Sequence, residues 1–140
     1  METMKLVSVY KNKDTVDVLY RLLLERDKTV NISHRRMPTM AEHKKFIASK
    51  PYKSWDLIIS GGQVLGSVYL SKQNEIGLFI FKKLRGNGYG KKALRLLMAR
   101  HSKEERFLAN VNPANSRSVD FFKKMGFCHI QNTYELRRRG

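Results

Sequence analysis

The sequence predicts a single α/β domain, residues 1–140, with a mixed, mostly antiparallel central sheet flanked by helices. Three observations lead there. Apolar residues change period along the chain, from strand-like alternation to helical spacing and back. Three β-rich stretches follow one another between residues 55 and 81, joined by the turn signals Gly61-Gly62 and Gln73-Asn74. A length of 140 residues holds one conventional core, and no repeat, linker or low-complexity segment divides it.

Each element has its own signature. Residues 4–10 read as a short strand carrying Leu6, Val7 and Val9. Residues 14–26 place Val16, Leu19, Tyr20 and Leu23 on one helical face. A polar, basic loop at 31–38 closes on Pro38. Thr39, with Glu42 three residues on, forms a capping-box pattern that opens a helix to about Ser49, and Pro51 ends it. Strands follow at 55–60, 64–72 and 75–81, rich in Ile58, Ile59, Val68, Tyr69, Phe79 and Ile80. A helix at 90–101 puts Ala93, Leu94, Leu97 and Met98 on one face. A strand at 107–111, a helix at 115–125 and a last strand at 127–136 complete the order.

Charge narrows the partners. Lys and Arg number 28 against 12 Asp and Glu, a net charge of +16. That balance favours polyanions: nucleic acid, anionic lipid or phosphate-bearing small molecules. Nucleic acid is disfavoured, since the chain shows neither an aromatic-basic RNA-binding stretch nor a zinc finger. Cys128 is the single cysteine, and no Cys/His cluster has metal-ligand spacing, so no metal is expected. No run approaches the ~18 apolar residues of a membrane span. No apolar core follows the first charges, as a secretory signal would require. The expectation is a soluble protein of the cytoplasm.

The densest signal is Arg85-Gly86-Asn87-Gly88-Tyr89-Gly90, lying between a strong strand and a strong helix. Glycines let the backbone take positive φ and come close to a ligand. Successive N–H groups leading into a helix N-terminus form a cradle for an anion. Lys91 and Lys92 oppose the helix dipole, which makes sense where an anion normally sits. The spacing fits neither a Walker A loop nor a dinucleotide-binding fingerprint.

Strand 75–81 followed by Arg85-x-x-Gly88-x-Gly90 resembles the acetyl-CoA motif of the GNAT family of N-acetyltransferases. Asn110-Val111-Asn112-Pro113-Ala114-Asn115-Ser116 and Lys123-Lys124-Met125-Gly126-Phe127 are similar to that family's second motif. The order of elements matches as well. This resemblance implies a sheet splayed beside the cofactor strand and acetyl-CoA as co-substrate. It implies a pyrophosphate resting on Gly86, Asn87, Gly88, Tyr89, Gly90 and Lys91, beside Arg85. It further implies a pantetheine arm paired with Leu78, Phe79 and Ile80, and a cofactor contact from Asn115. As a plain helix cap, Asn115 would serve equally well.

Two positions depart from the family pattern. Phe122 stands where a tyrosine often protonates the leaving thiolate, and Asn110 where some relatives carry a glutamate base. Glu75 is then the first candidate base, and Tyr134 on the last strand a candidate acid. Gly77, on the same face as Glu75, is expected to leave room for substrate. The segment from Ser33 to Trp55 resembles GNAT enzymes that acetylate amino groups of nucleotide-linked sugars. His34, Arg35, Arg36 and His43 become candidate acceptor contacts, the arginines as phosphate partners. A protein N-terminal acetyltransferase and a CoA-binding pseudoenzyme remain as alternatives, and the sequence leaves a homodimer open.

Overall fold

The computed structural model describes residues 3–26 and 36–138. Four strands pair in sequence order, each antiparallel to the next: β1 (Met4–Ser8), β2 (Ser54–Ser60), β3 (Gln63–Leu70) and β4 (Ile76–Ile80). Gly61 and Gly62 take φ of 59° and 73°. Two successive left-handed residues give the tight β2–β3 turn a twist that suits the flanking strands.

Helices cover both faces. α1 (Val16–Leu24) and α2 (Met40–Ala48) lie on one, α3 (Tyr89–Arg100) on the other, and α4 (Ser116–Lys124) follows α3. Strand alternation sorts the two cores. Ile58, Val68, Leu70 and Ile76 meet Ala93, Leu94 and Leu97 of α3. Trp55, Leu57 and Phe81 meet Leu19 and Leu22 of α1 and Ile47 of α2. A buried Asp56 carboxylate on the α3 face is held by Arg100, Nη1–H to Oδ2 at 2.7 Å. Pairing is what makes a carboxylate tolerable there.

The capping box forms as expected. Thr39 Oγ1 accepts the Glu42 N–H at 3.1 Å, and Glu42 Oε1 accepts the Thr39 N–H at 2.9 Å. The first strand stops earlier than expected, at Ser8, because the chain turns to bury Val9 in a short 3-10 turn, Val9–Lys11. A second such turn, Lys13–Thr15, delays α1 to Val16.

Two expected strands are corrected. Segment 107–111 contributes one parallel bridge, Glu75 to Leu108, and no strand. Segment 127–136 forms no secondary structure; Ile130, Tyr134 and Leu136 are 65%, 89% and 86% exposed. Its alternation has the period of a strand, but it makes no backbone ladder with any of the four described strands. Among the described residues no helix is long and apolar enough to cross a membrane, and no His/Cys/Asp/Glu cluster suits a metal ion.

Candidate active site

β4 has two unlike edges. Gly77 and Phe79 stand opposite Tyr69 and Ser67 of β3. Bonds at either end fix the phase: Ser71 N–H donates to Glu75 O at 2.8 Å and Phe81 N–H to Leu65 O at 3.0 Å. Alternation therefore spends the backbone of Gly77 and Phe79 on β3 and turns that of Ile76, Leu78 and Ile80 outward. At Ile76 the outer edge is filled, with its N–H donating to Leu108 O at 2.8 Å. Past that isolated bridge, among the described residues, no backbone group of another segment bonds the outer edge at Leu78 and Ile80. The expected trio thus divides. Leu78 and Ile80 offer backbone groups to an extended ligand; Phe79 offers only its ring, on the α1–α2 face. Arg85 Nε–H already donates to Ile80 O at 3.3 Å.

The glycine loop continues from this edge. A 3-10 turn, Lys82–Leu84, leads to Gly86 at φ 86° and Gly88 at φ 78°, the latter capping α3. A Cβ at either glycine would meet nothing within 4 Å, so the backbone angle, not crowding, demands glycine there. Asn87 Nδ2–H donates to Leu84 O at 3.0 Å and sets the loop's curve. Lys92 N–H closes the first helical bond to Gly88 O at 3.3 Å. The N–H groups of Tyr89, Gly90 and Lys91 precede that bond and point out of the helix end. No acidic residue stands in the first turn of α3. Gly90 lies near Leu78 and Phe121, seating the loop against β4. The result is an anion cradle that begins where the open strand edge ends.

Glu75 stands at the opposite end of that edge. Its Oε1 accepts from Ser71 Oγ–H at 3.3 Å, its Oε2 accepts from Asn110 Nδ2–H, and its own N–H donates to Ser71 Oγ at 2.9 Å. The structure so brings together two positions the sequence treated separately: Asn110 orients Glu75. Neighbouring Asn74, at φ 65°, donates to Glu104 Oε2 at 2.9 Å, and Lys53 Nζ reaches Glu104 Oε1 at 3.0 Å. Both bonds hold Glu104 below the usual carboxylate range, Asn74's first and Lys53's next. The expected space at Gly77 is corrected. A Cβ there would fall 2.0 Å from Tyr69 Cε2, so the Tyr69 ring already lies on this glycine.

Other candidates are placed as follows. Asn115 caps α4, Oδ1 accepting the Ser118 N–H at 3.3 Å. Phe122 packs between Phe121 and Phe127, as a core aromatic. Tyr134, on the tail, is 89% exposed and makes no hydrogen bond to Glu75 among the described residues. His43 is 3% exposed, its Nε2–H donating to Val16 O at 3.0 Å. It staples α2 to α1 and does not face an acceptor, a correction of the sequence expectation. Arg36 makes a two-pronged bond with Glu42, both contacts 3.2 Å, and so braces the α2 cap. His34 and Arg35 lie outside the described residues.

A family model described as acetyltransferase (GNAT) family matches residues 18–127. No protein of curated function matches the chain by sequence. Among solved structures, an acetyltransferase from Thermus thermophilus aligns with TM-score 0.76 at 20% identity, over 94% of this chain and 92% of that one. A domain from Methanocaldococcus jannaschii aligns with TM-score 0.82 at 18% identity, over 96% and 94%. An aminoglycoside N-acetyltransferase solved with CoA aligns with TM-score 0.71 at 14% identity, over 100% and 97%. At these identities the structures show a shared fold. The family match spans most of the chain and includes the open strand, the glycine loop and α4: this protein belongs to the GNAT family of acetyl-CoA-dependent N-acetyltransferases.

Proposed function

We propose that the chain transfers the acetyl group of acetyl-CoA to a primary amine on a phosphate-bearing small molecule, such as a nucleotide-linked amino sugar. The observation that carries the cofactor half is the edge of β4, open from Leu78 and running into a left-handed glycine turn at a helix N-terminus. When bound, acetyl-CoA supplies a thioester carbonyl open to attack. The Gly86–Lys91 backbone would hold its pyrophosphate, and Leu78 and Ile80 its extended arm. The outward N–H of Leu78 can donate to an oxygen as charge builds on it. Glu75, held by Ser71 and Asn110, accepts the amine's proton, while the new N–C bond forms and the C–S bond breaks. Water would supply the proton to the leaving thiol, whose pKa of about 8.5 makes it a fair leaving group.

Charge supports the acceptor half. A surface of net charge +16 repels polycations and draws anions to the site. The aminoglycoside acceptor of one structural relative is therefore a poor fit here. A protein N-terminus, the acceptor in a ribosomal L7/L12 α-N-protein acetyltransferase of similar fold, is the contrast to run beside it. A cytoplasmic setting fits, with an exposed free Cys128 and a soluble cofactor. The exposed alternation of Ile130, Tyr134 and Leu136 supports a homodimer in which two tails pair; light scattering of the full chain tests it. For function, the experiment is acetyl-CoA turnover against UDP- and dTDP-amino sugars, polyamines and N-terminal peptides. Turnover confined to peptides or polyamines would sink the acceptor assignment. CoA binding without turnover on any amine would point to a pseudoenzyme.

A further inference from the structure

A second site lies on the α1–α2 face of β4. Arg26, just past the end of α1, places its guanidinium 3.9 Å from the centroid of the Phe79 ring. The Tyr69 ring lies beside Phe79, with centroids 6.4 Å apart, and Tyr52 stacks on Tyr69 at 3.8 Å with the planes 3° from parallel. These residues come from the end of α1, the approach to β2, β3 and β4. A small surface hollow of about 10 Å³, lined by Leu22, Glu25, Arg26, Phe79, Ile80 and Arg85, lies beside them.

Two arginines and one carboxylate, Glu25, line this hollow. Burial lowers the Arg26 pKa from its ordinary value, and the Tyr69 and Tyr52 phenols are close enough to act against that shift. A guanidinium remains a cation even so. Burial, then the neighbouring Tyr69, raises the Tyr52 pKa far above that of a free phenol, so its hydroxyl stays a donor. Among the described residues the carboxylate beside Arg26 in the chain, Glu25, has Oε1 occupied by the Lys82 N–H at 2.8 Å. Among the described residues Arg26 makes no ion pair. A planar cation held flat on an aromatic ring presents its N–H edge as a ready fork for phosphate oxygens.

We propose that Arg26, with the hydroxyls of Tyr52 and Tyr69, forms a subsite for a phosphate group of the amine acceptor. The inference rests on the reading that acetyl-CoA lies along the outer edge of β4. Phe79 sits between the outward-turned Leu78 and Ile80, so the subsite adjoins that edge from the acceptor's face of the sheet. Four residues of strand separate Glu75 from Phe79, about 13 Å. By that spacing an acceptor with its amine near Glu75 and its phosphate at Arg26 spans about 13 Å, the reach of an amino sugar carrying a diphosphate. The phosphate anchor is thereby Arg26, in place of Arg36, which is engaged with Glu42.

The test uses the full chain saturated with CoA, so that the glycine cradle is filled, and titrates inorganic pyrophosphate. Trp55 is the one tryptophan and lies 5.0 Å from the Tyr52 ring and 6.4 Å from the Tyr69 ring, so its emission reports on the cluster. Saturable binding is expected, weakened about tenfold or more in Arg26→Gln and severalfold in Tyr69→Phe, with Arg26→Lys in between. CoA affinity, read separately by calorimetry, should be the same in all of them. Absence of saturable pyrophosphate binding to protein that does bind CoA overturns the subsite and leaves the enzyme reading intact. Equal losses of CoA and pyrophosphate affinity in Arg26→Gln assign the arginine to the cofactor's phosphate and also overturn it. Failure of the wild type to bind CoA would instead remove the reading on which the subsite rests.

Discussion

The two sides of β4 are built from different materials. Its outer edge and the glycine loop are backbone: the N–H groups of Leu78 and Ile80 and those of the first turn of α3, exposed by a sheet that parts beyond Ile76. Its α1–α2 face is side chain: Arg26, Tyr52, Tyr69 and Phe79, gathered from four separate segments. The difference divides the labour. A backbone site recognises what every donor molecule shares, an extended arm and a pyrophosphate, and it tolerates change in the surrounding side chains. On the proposed reading a side-chain site would set which acceptor is taken, and it could be rewritten one residue at a time. Glu75 stands at the junction, so substituting it tests the point where the two sides must cooperate.

The largest effect is expected there. Glu75→Gln keeps the Ser71 contact but loses the base, and kcat should fall about 10²–10⁴-fold with acetyl-CoA binding unchanged. Full kcat across neutral pH would make Glu75 a brace for Ser71 and Asn110 alone. On the backbone side, Gly88→Val forces a branched residue into φ 78° at the cap of α3. Strain of about 1–3 kcal/mol, and a side chain where the anion rests, should weaken CoA about a hundredfold. Calorimetry checks this, and unchanged affinity would remove the cradle.

How far this was legible in the sequence follows from the same division. The glycine loop, the capping box at Thr39 and Glu42, and the Gly61-Gly62 hairpin are local devices, whose residue types are dictated by backbone angles within a few positions. All three could be read directly. The partner of segment 107–111, the unpaired tail and the acceptor-side cluster depend on contacts between distant residues, which periodicity does not report. His43 shows the limit: an ionisable residue in the right segment, turned inward to bond Val16. Arg26 shows the converse, since a lone arginine at a helix end carries no pattern that marks it as stacked on Phe79. Gly77 was read as space for substrate, but its missing side chain accommodates Tyr69 from the neighbouring strand. Only the β3–β4 register could have shown that.

That register sharpens the comparison through Gly77→Ala. Its Cβ would fall 2.0 Å from Tyr69 Cε2 and 2.1 Å from Cζ, so the ring must swing away and take its stacking with Tyr52 along. Stability should drop by about 1–3 kcal/mol, as for overpacking elsewhere. Acceptor KM should rise about tenfold while CoA affinity holds, since β4's outer edge is untouched. A variant that loses CoA affinity in equal measure would show that the two sides of the strand are not separable.

The smallest effect lies away from both sides, where the end of α3 meets the start of β2. His101, following α3, has Nε2 2.9 Å from Ser54 Oγ. Burial and then the Arg100 charge lower its pKa from the ordinary value of 6.5, with Lys53 acting in the same direction and Glu104 and Asp56 against it. A histidine whose pKa is lower folded than unfolded takes up its proton more readily in the unfolded chain. Stability is therefore full above the unfolded pKa and falls as pH drops through 6.5, levelling off once the folded pKa is passed. Glu104, whose pKa is lowered instead by Asn74 and Lys53, loses its contribution at more acid pH, below the ordinary 4.5, so the two windows separate. Thermal unfolding between pH 7.5 and about 5 should show a shallow decline in Tm that His101→Gln flattens. If the variant declines as steeply as the wild type, another group carries the proton, and the His101–Ser54 contact is insensitive to pH in that range.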